Sequence, residues 1–191
     1  MHVFPEDMWH LLESEERKKR EPAERLAEII KERIRRRKVA FDIGAGTGYF
    51  TVQLSKLFEK VYAVERSEKL ARILASKASK TSEASKTSKG LKNIGIIVSE
   101  KPPEIDFDVD LVLFADSLHE ISCKKEYVEW CCSRSKYVLI VDWKKGVCQN
   151  AGPPDSHRIG EDDVAELFSC YKFEKFDIYP CHYVLLGVRQ K

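Results

Sequence analysis

The residues best suited to chemistry begin at position 41, where Phe41-Asp42-Ile43-Gly44-Ala45-Gly46-Thr47-Gly48-Tyr49 follows a short apolar run and leads into a helix-forming stretch. Glycines at such a junction let the backbone turn sharply and approach a bound group closely. The free N–H groups of a helix start favour a polar or anionic ligand. Twenty-one positions after Gly44 stands Glu65, closing the run Val61-Tyr62-Ala63-Val64. A carboxylate at a strand end can accept hydrogen bonds from both hydroxyls of a ribose. Together these features imply a nucleotide-like ligand. The spacing G-x-G-x-G departs from the dinucleotide fingerprint G-x-G-x-x-G, and an acid precedes the first glycine by two positions, so a nicotinamide-dependent oxidoreductase fits poorly.

A second set of reactive side chains follows the later apolar runs. In open α/β sheets ligands lie beyond the carboxyl ends of the parallel strands. That rule selects Asp116 and His119, then Trp143 and Lys144, then the loop with His157 and Arg158, and finally His182 and Tyr183 beside the last turn. Asp116, His119, His157, Arg158 and His182 are the candidate catalytic residues, histidine being the side chain matched to proton transfer near neutral pH. Each has a duller reading. Asp116 suits a helix cap, His119 a hydrogen-bonded helix start, Arg158 an ion pair with Asp155 or Glu161, and His182 a plain strand end. The six cysteines form no C-x-x-C pair and no His lies at zinc-finger spacing. Neither a metal site nor a redox motif is expected, and the cysteines read as thiols.

The elements that must position these groups follow from periodicity. Leu26, Ile30 and Ile34 recur at four-residue spacing within a helix from Glu21 to Lys38 that closes on Arg35-Arg36-Arg37-Lys38, cations suited to the end of a helix dipole. Strands are predicted at 39–43, 61–64, 94–98, 109–114 and 137–141, and helices at 49–58, 68–76, 124–132 and 161–169. Short buried strands alternating with helices mean a parallel sheet. The last two strands, 172–178 and 182–188, are too close for a crossover and form an antiparallel hairpin. Residues 99–108 leave room only for a turn. The stretch Ala75 to Gly90 repeats Ala78-Ser79-Lys80-Thr81-Ser82 as Ala84-Ser85-Lys86-Thr87-Ser88 and reads as a helix extension fraying into a surface loop. The fold class is α/β, with an N-terminal helical segment (1–38) packed on or covering a domain spanning 39–191.

Composition narrows the partners. The 191 residues are 43% hydrophobic and 34% charged, enough apolar material for a large core, and no stretch is long and apolar enough to span a membrane. The acidic start, Glu6-Asp7, does not resemble a signal peptide, so the expected location is cytoplasmic. A net charge of +2 gives no field that would imply a nucleic-acid partner.

Asp42-x-Gly44-x-Gly46-x-Gly48 with Glu65 resembles the cofactor motifs of class I S-adenosylmethionine-dependent methyltransferases. Phe4-Pro5, Asp116-Ser117-Leu118-His119-Glu120, Val141-Asp142-Trp143-Lys144-Lys145, Gly152-Pro153-Pro154 and His182-Tyr183 are similar to small prokaryotic type 11 members. The resemblance implies a Rossmann-like three-layer sandwich whose seven-stranded, mostly parallel sheet has its last strand antiparallel. It implies S-adenosylmethionine as cofactor and S-adenosylhomocysteine as product. Asp42, Gly44, Ala45, Gly46 and Gly48 would surround the methionyl half, Glu65 the ribose, and Arg66 and Glu100 the adenine, with Phe114 and Ala115 lining the pocket. A small-molecule acceptor is expected, because the Asn/Asp-Pro-Pro-aromatic motif of nucleobase amine methylation is replaced by Phe114-Ala115-Asp116-Ser117. An RNA methyltransferase and a non-catalytic cofactor-binding subunit are the alternatives. The expected acceptor pocket is roofed by the loop from Gly152 to Gly160 and the N-terminal segment around Trp9.

Overall fold

Val39–Ile43 is short, apolar and bounded by turn-forming residues, the pattern of an internal strand. In the computed structural model of the protein it is β1, near the centre of a single seven-stranded sheet. The structure describes residues 4–84 and 92–190. The other strands are β2 (Lys60–Glu65), β3 (Ile94–Val98), β4 (Val109–Ala115), β5 (Ser135–Trp143), β6 (Tyr171–Phe176) and β7 (His182–Arg189), in the order β3-β2-β1-β4-β5-β7-β6. Only β7 runs against its neighbours, inserted between β5 and β6. From β1 the chain builds outward to β2 and β3 on one side and to β4 and β5 on the other. The crevice for a ligand therefore opens where β1 and β4 diverge, beyond Ile43 and Ala115.

The helices cover both faces. α2 (Ala23–Arg33) and α3 (Tyr49–Ser55) pack Leu26, Ile30, Phe50 and Leu54 against Leu111, Leu113 and Leu139 on one side. α5 (Lys124–Arg134) and α6 (Glu161–Leu167) pack Tyr127, Cys131 and Val164 against Val112, Phe114 and Ile140 on the other. Every residue of β4 is buried, as expected of a strand sandwiched on both faces. α1 (Glu15–Arg20) and the 3-10 helix Glu6–Glu13 precede this layer. α4 (Glu68–Ala84) lies along β2 and β3.

Two expectations change. The first helix ends at Arg33, because Ile34 leaves the helix extended and fully buried, so the Arg35–Lys38 run stands outside it. Arg37 instead reaches back to the Ile34 carbonyl at 2.9 Å. α4 runs to Ala84, so the extension expected beyond residue 76 is helical. The loop expected after it lies outside the described residues. Four of the six cysteines are not thiols: Cys132 pairs with Cys170 and Cys148 with Cys181, their Cα atoms 6.1 and 5.7 Å apart, within the usual range for a disulfide. These partners are 38 and 33 positions apart, so no local spacing advertised them. No helix among the described residues is long and apolar enough to cross a membrane.

Candidate active site

The glycine loop turns because its backbone must. Gly44, Gly46 and Gly48 have φ of 73°, 55° and 87°, the left-handed region open to glycine. A Cβ on Gly44 would lie 2.4 Å from Ser117 Cβ, and one on Gly48 would lie 2.1 Å from Leu74. The loop is tied to the end of β2: Gly44 and Ala45 donate to the Val64 carbonyl at 2.8 and 3.1 Å, and Gly46 N–H donates to Glu65 Oε2 at 2.8 Å. Glu65 Oε1 accepts from Ser67 N–H, also at 2.8 Å. The carboxylate is thus fixed by one backbone donor on each oxygen, and each oxygen keeps a further lone-pair direction. Asp42 is buried and accepts from Thr51 Oγ1 at 2.5 Å; burial pushes its pKa up to about 6 against the opposing pull of Thr51 and Arg17.

Asp42, Gly44, Ala45, Gly46, Glu65, Arg66 and Glu100 line one end of a cavity of about 1050 Å³. That volume is at the upper limit for small-molecule sites and leaves room for two ligands side by side. Met8, Leu11 and Leu12 of the N-terminal 3-10 helix and Ala151, Gly152 and Pro153 of the loop after β5 close over it. The N-terminal segment is held down by polar ties. Phe4 N–H donates to Glu120 Oε1 at 3.0 Å, and Glu13 takes hydrogen bonds from Thr47 and Lys77. Trp9 is turned outward, away from the cavity.

Two polar assemblies occupy the walls beyond β4 and β5. His119 is buried, and its Nδ1 sits 2.8 Å from Asp142 Oδ1 at the end of β5. Its Nε2 lies 3.7 Å from Glu120 Oε1. Burial opposes the imidazolium, but Asp142 outweighs it and the His119 pKa is raised above 6.5. In the second assembly the Arg17 guanidinium on α1 joins Glu21 Oε1 and Asp116 Oδ2, both at 3.0 Å. Asp116 adopts φ 53°, uncommon for a residue with a side chain, and its Oδ1 lies 3.1 Å from His182 Nε2. Burial raises the Glu21 pKa and the neighbouring Asp116 charge raises it further. Burial works in the same direction on Asp116, but His182 and Arg17 overcome it and hold that carboxyl well below the usual range. Arg20 stacks on Trp143, its guanidinium carbon 4.9 Å from the ring centre.

No family model matches this sequence, and no curated protein sequence matches it. Solved structures do. A SAM-dependent methyltransferase from Aquifex aeolicus superimposes with a TM-score of 0.83 at 22% identity, over 98% of this chain and 100% of that one. A Sulfolobus solfataricus protein assigned to the type 11 methyltransferases gives 0.69 at 26% identity, over 89% and 92%. This chain has the class I methyltransferase fold. The type 11 resemblance fits the same match. Magnesium protoporphyrin IX methyltransferase from Synechocystis, solved with bound SAM, shares the fold at a TM-score of 0.63 and 13% identity, over 90% and 80%.

Within this class I fold the residues singled out from sequence divide. Asp42, Gly44, Ala45, Gly46, Glu65, Arg66, Glu100, Asp116 and His119 all border the cavity. Gly48 does not; it makes room for Leu74 of α4. Phe114 points to the opposite face, edge-on to Tyr127 and Phe168, and Ala115 lines the cavity in its place. His157 and Arg158 also lie off the cavity wall. Arg158 is buried and directs Nε, Nη1 and Nη2 to the carbonyls of Pro153, Lys144, Val147, Cys148 and Ala151, while stacking on Trp143. It pins the loop and has no donor left for a ligand. His182 is fully buried behind Asp116. Of the three histidines expected on one face, only His119 reaches the cavity. Sequence reasoning missed Arg17 and Glu21, which lie in a stretch of mixed charges that reads as a solvated helix. It also missed Asp142 as the partner of His119.

Proposed function

We propose that the protein is an S-adenosylmethionine-dependent methyltransferase acting on a small molecule. The observation that carries the reading is the Glu65 carboxylate, held at the end of β2 by Gly46 and Ser67 with one lone pair of each oxygen left over, at the mouth of a glycine-walled cavity. That is the acceptor pair a ribose diol needs. The residues therefore fit S-adenosylmethionine, which when bound supplies a methyl group already activated on a sulfonium. Glu65 would take the ribose hydroxyls, Asp42 and the Gly44–Gly46 backbone the methionyl half, and Arg66 and Glu100 would flank the adenine.

The rest of the chain would align the acceptor and exclude water, the main requirements of an in-line displacement. The 3-10 helix would serve as a lid through Met8, Leu11 and Leu12. His119, held in one orientation by Asp142, would take a proton at Nε2 from an acceptor that must lose one. Arg158 would act at a distance, by fixing the loop that carries Gly152 and Pro153. The roofed cavity favours a small acceptor over a nucleic-acid duplex.

Calorimetry tests the reading. S-adenosylhomocysteine should bind with a stoichiometry of one, and NAD should give no heat. Tight binding of NAD with none of S-adenosylhomocysteine would overturn it.

A further inference from the structure

Behind the acceptor side of the cavity, four buried polar atoms have no hydrogen-bond partner: Glu21 Oε2, Asp116 Oδ1, and both ring nitrogens of His182. Glu21 and His182 are fully buried. Orphaned polar atoms at such depth are costly, and one atom each of Glu21, Asp116 and His182 lie close enough for a single ligand to meet all three. His182 Nε2 approaches Asp116 Oδ1 to 3.1 Å without the alignment of a hydrogen bond. Two ligands bound about 2.1 Å from one metal ion, at right angles, stand about 3.0 Å apart. Glu21, Asp116 and His182 each bring one ligand atom to within 4.8 Å of the other two, a spread that small side-chain movements would close around an ion.

We propose that Glu21, Asp116 and His182 form a site for a divalent first-row transition metal ion, adjoining the cavity. The donor set, one imidazole nitrogen and two carboxylate oxygens, suits Mn²⁺, Fe²⁺ or Zn²⁺ rather than Ca²⁺. Arg17 supports the geometry, because it binds Glu21 Oε1 and Asp116 Oδ2, leaving Oε2 and Oδ1 free and fixing how both carboxylates are turned. Hydrogen bonds of that kind orient metal ligands and set their affinity. The strained backbone at Asp116, φ 53°, is held by its N–H bond to the Val141 carbonyl at 2.9 Å and presents the side chain to the other two. An ion would take one atom from each of the three residues.

Glu21 and Asp116 border the cavity and His182 stands behind them, so the site adjoins the cavity. With a divalent ion bound, the two carboxylates are shared between the ion and the Arg17 and Arg20 guanidiniums, so the wall carries a net positive charge. Such a wall selects an acceptor presenting an anionic oxygen, a carboxylate, phenolate or enolate. This role rests on the methyltransferase reading; the binding of the ion does not.

Mn²⁺ titrated into metal-free full-length protein, followed by electron paramagnetic resonance, should saturate at one ion per chain, and Zn²⁺ should displace it. Glu21→Gln and His182→Gln should each weaken Mn²⁺ binding at least tenfold. Pulsed resonance on the Mn²⁺-loaded wild-type protein should detect one imidazole nitrogen, a readout that needs no variant to fold. Absence of saturable Mn²⁺ or Zn²⁺ uptake, absence of the nitrogen coupling, or equal affinity in folded variants would overturn the proposal. S-adenosylhomocysteine calorimetry on metal-free wild-type protein reports on the methyltransferase reading separately.

Discussion

Replacing Glu65 by alanine removes the group on which the cofactor assignment depends. Each hydrogen bond between a ribose hydroxyl and an ionised carboxylate contributes about 1.5–3 kcal/mol. Loss of one weakens binding roughly tenfold to a hundredfold, and loss of both by about 10²–10⁴, since 1.4 kcal/mol is a factor of ten. A second effect follows from the hydrogen bonds already present. The same carboxylate accepts from Gly46 N–H and Ser67 N–H, both at 2.8 Å, so Glu65→Ala also strips partners from the glycine loop. Each unpaired buried donor costs about 1–3 kcal/mol, less where cavity water reaches it. The variant should therefore lose both melting temperature and affinity. Glu65→Gln keeps the volume and one acceptor oxygen, but its NH₂ faces a backbone N–H, so it too should lower both, by less. Isothermal titration with S-adenosylhomocysteine, alongside thermal melts of the free protein, reads both quantities. Glu65→Ala should raise Kd by at least tenfold in protein that circular dichroism shows to be folded. An unchanged Kd would refute the placement of the ribose, whatever the melts show.

Four further outcomes are expected. Turnover on an acceptor that loses a proton should rise with pH through the His119 pKa, above 6.5, because the base must be neutral; Asp142→Asn should shift that limb to lower pH and reduce kcat, and an unmoved profile would exclude His119. The same raised pKa stabilises the fold at pH below 6.5, and that contribution fades as pH rises through the folded-state value, so the stability gap between wild type and Asp142→Asn should narrow at alkaline pH. Arg158→Met should lower stability by about 2–4 kcal/mol in chemical denaturation, because five carbonyls, one buried and four partly buried, lose charged donors; an undisturbed fold with impaired acceptor binding would mean that Arg158 serves the ligand after all. Deleting residues 1–16 should leave the sheet folded and speed S-adenosylhomocysteine release at least tenfold in stopped flow, whereas a fall in melting temperature with unchanged release would assign the segment a purely structural role.

The strands were legible because an internal parallel strand is an apolar run with punctuated ends, and Val39–Ile43 and Ile94–Val98 match their predicted bounds to the residue. The glycine loop was legible because only particular spacings let a backbone turn and still start a helix. What sequence could not give is which member of an ordered pair faces the ligand, although strand geometry constrains it. Successive strand residues point to opposite faces. Phe114 and Ala115 therefore cannot both line one cavity, nor can His182 and Tyr183 both turn toward Asp116. In each pair one residue borders or backs the cavity and the other enters the opposite core, as Phe114 and Tyr183 do. Parity would have identified the conflict but not its resolution. The Arg17–Glu21–Asp116–His182 assembly lay further out of reach, since its members come from α1, the turn after it, and the ends of β4 and β7, 165 positions apart at the extremes. Arg17 and Glu21 stand at i, i+4 in a run of charges, the signature of a solvated helix. Only the docking of α1 over the end of β4 converts that ordinary surface pair into a buried one, and with it an N-terminal segment that composition marks as exterior becomes one wall of the candidate active site.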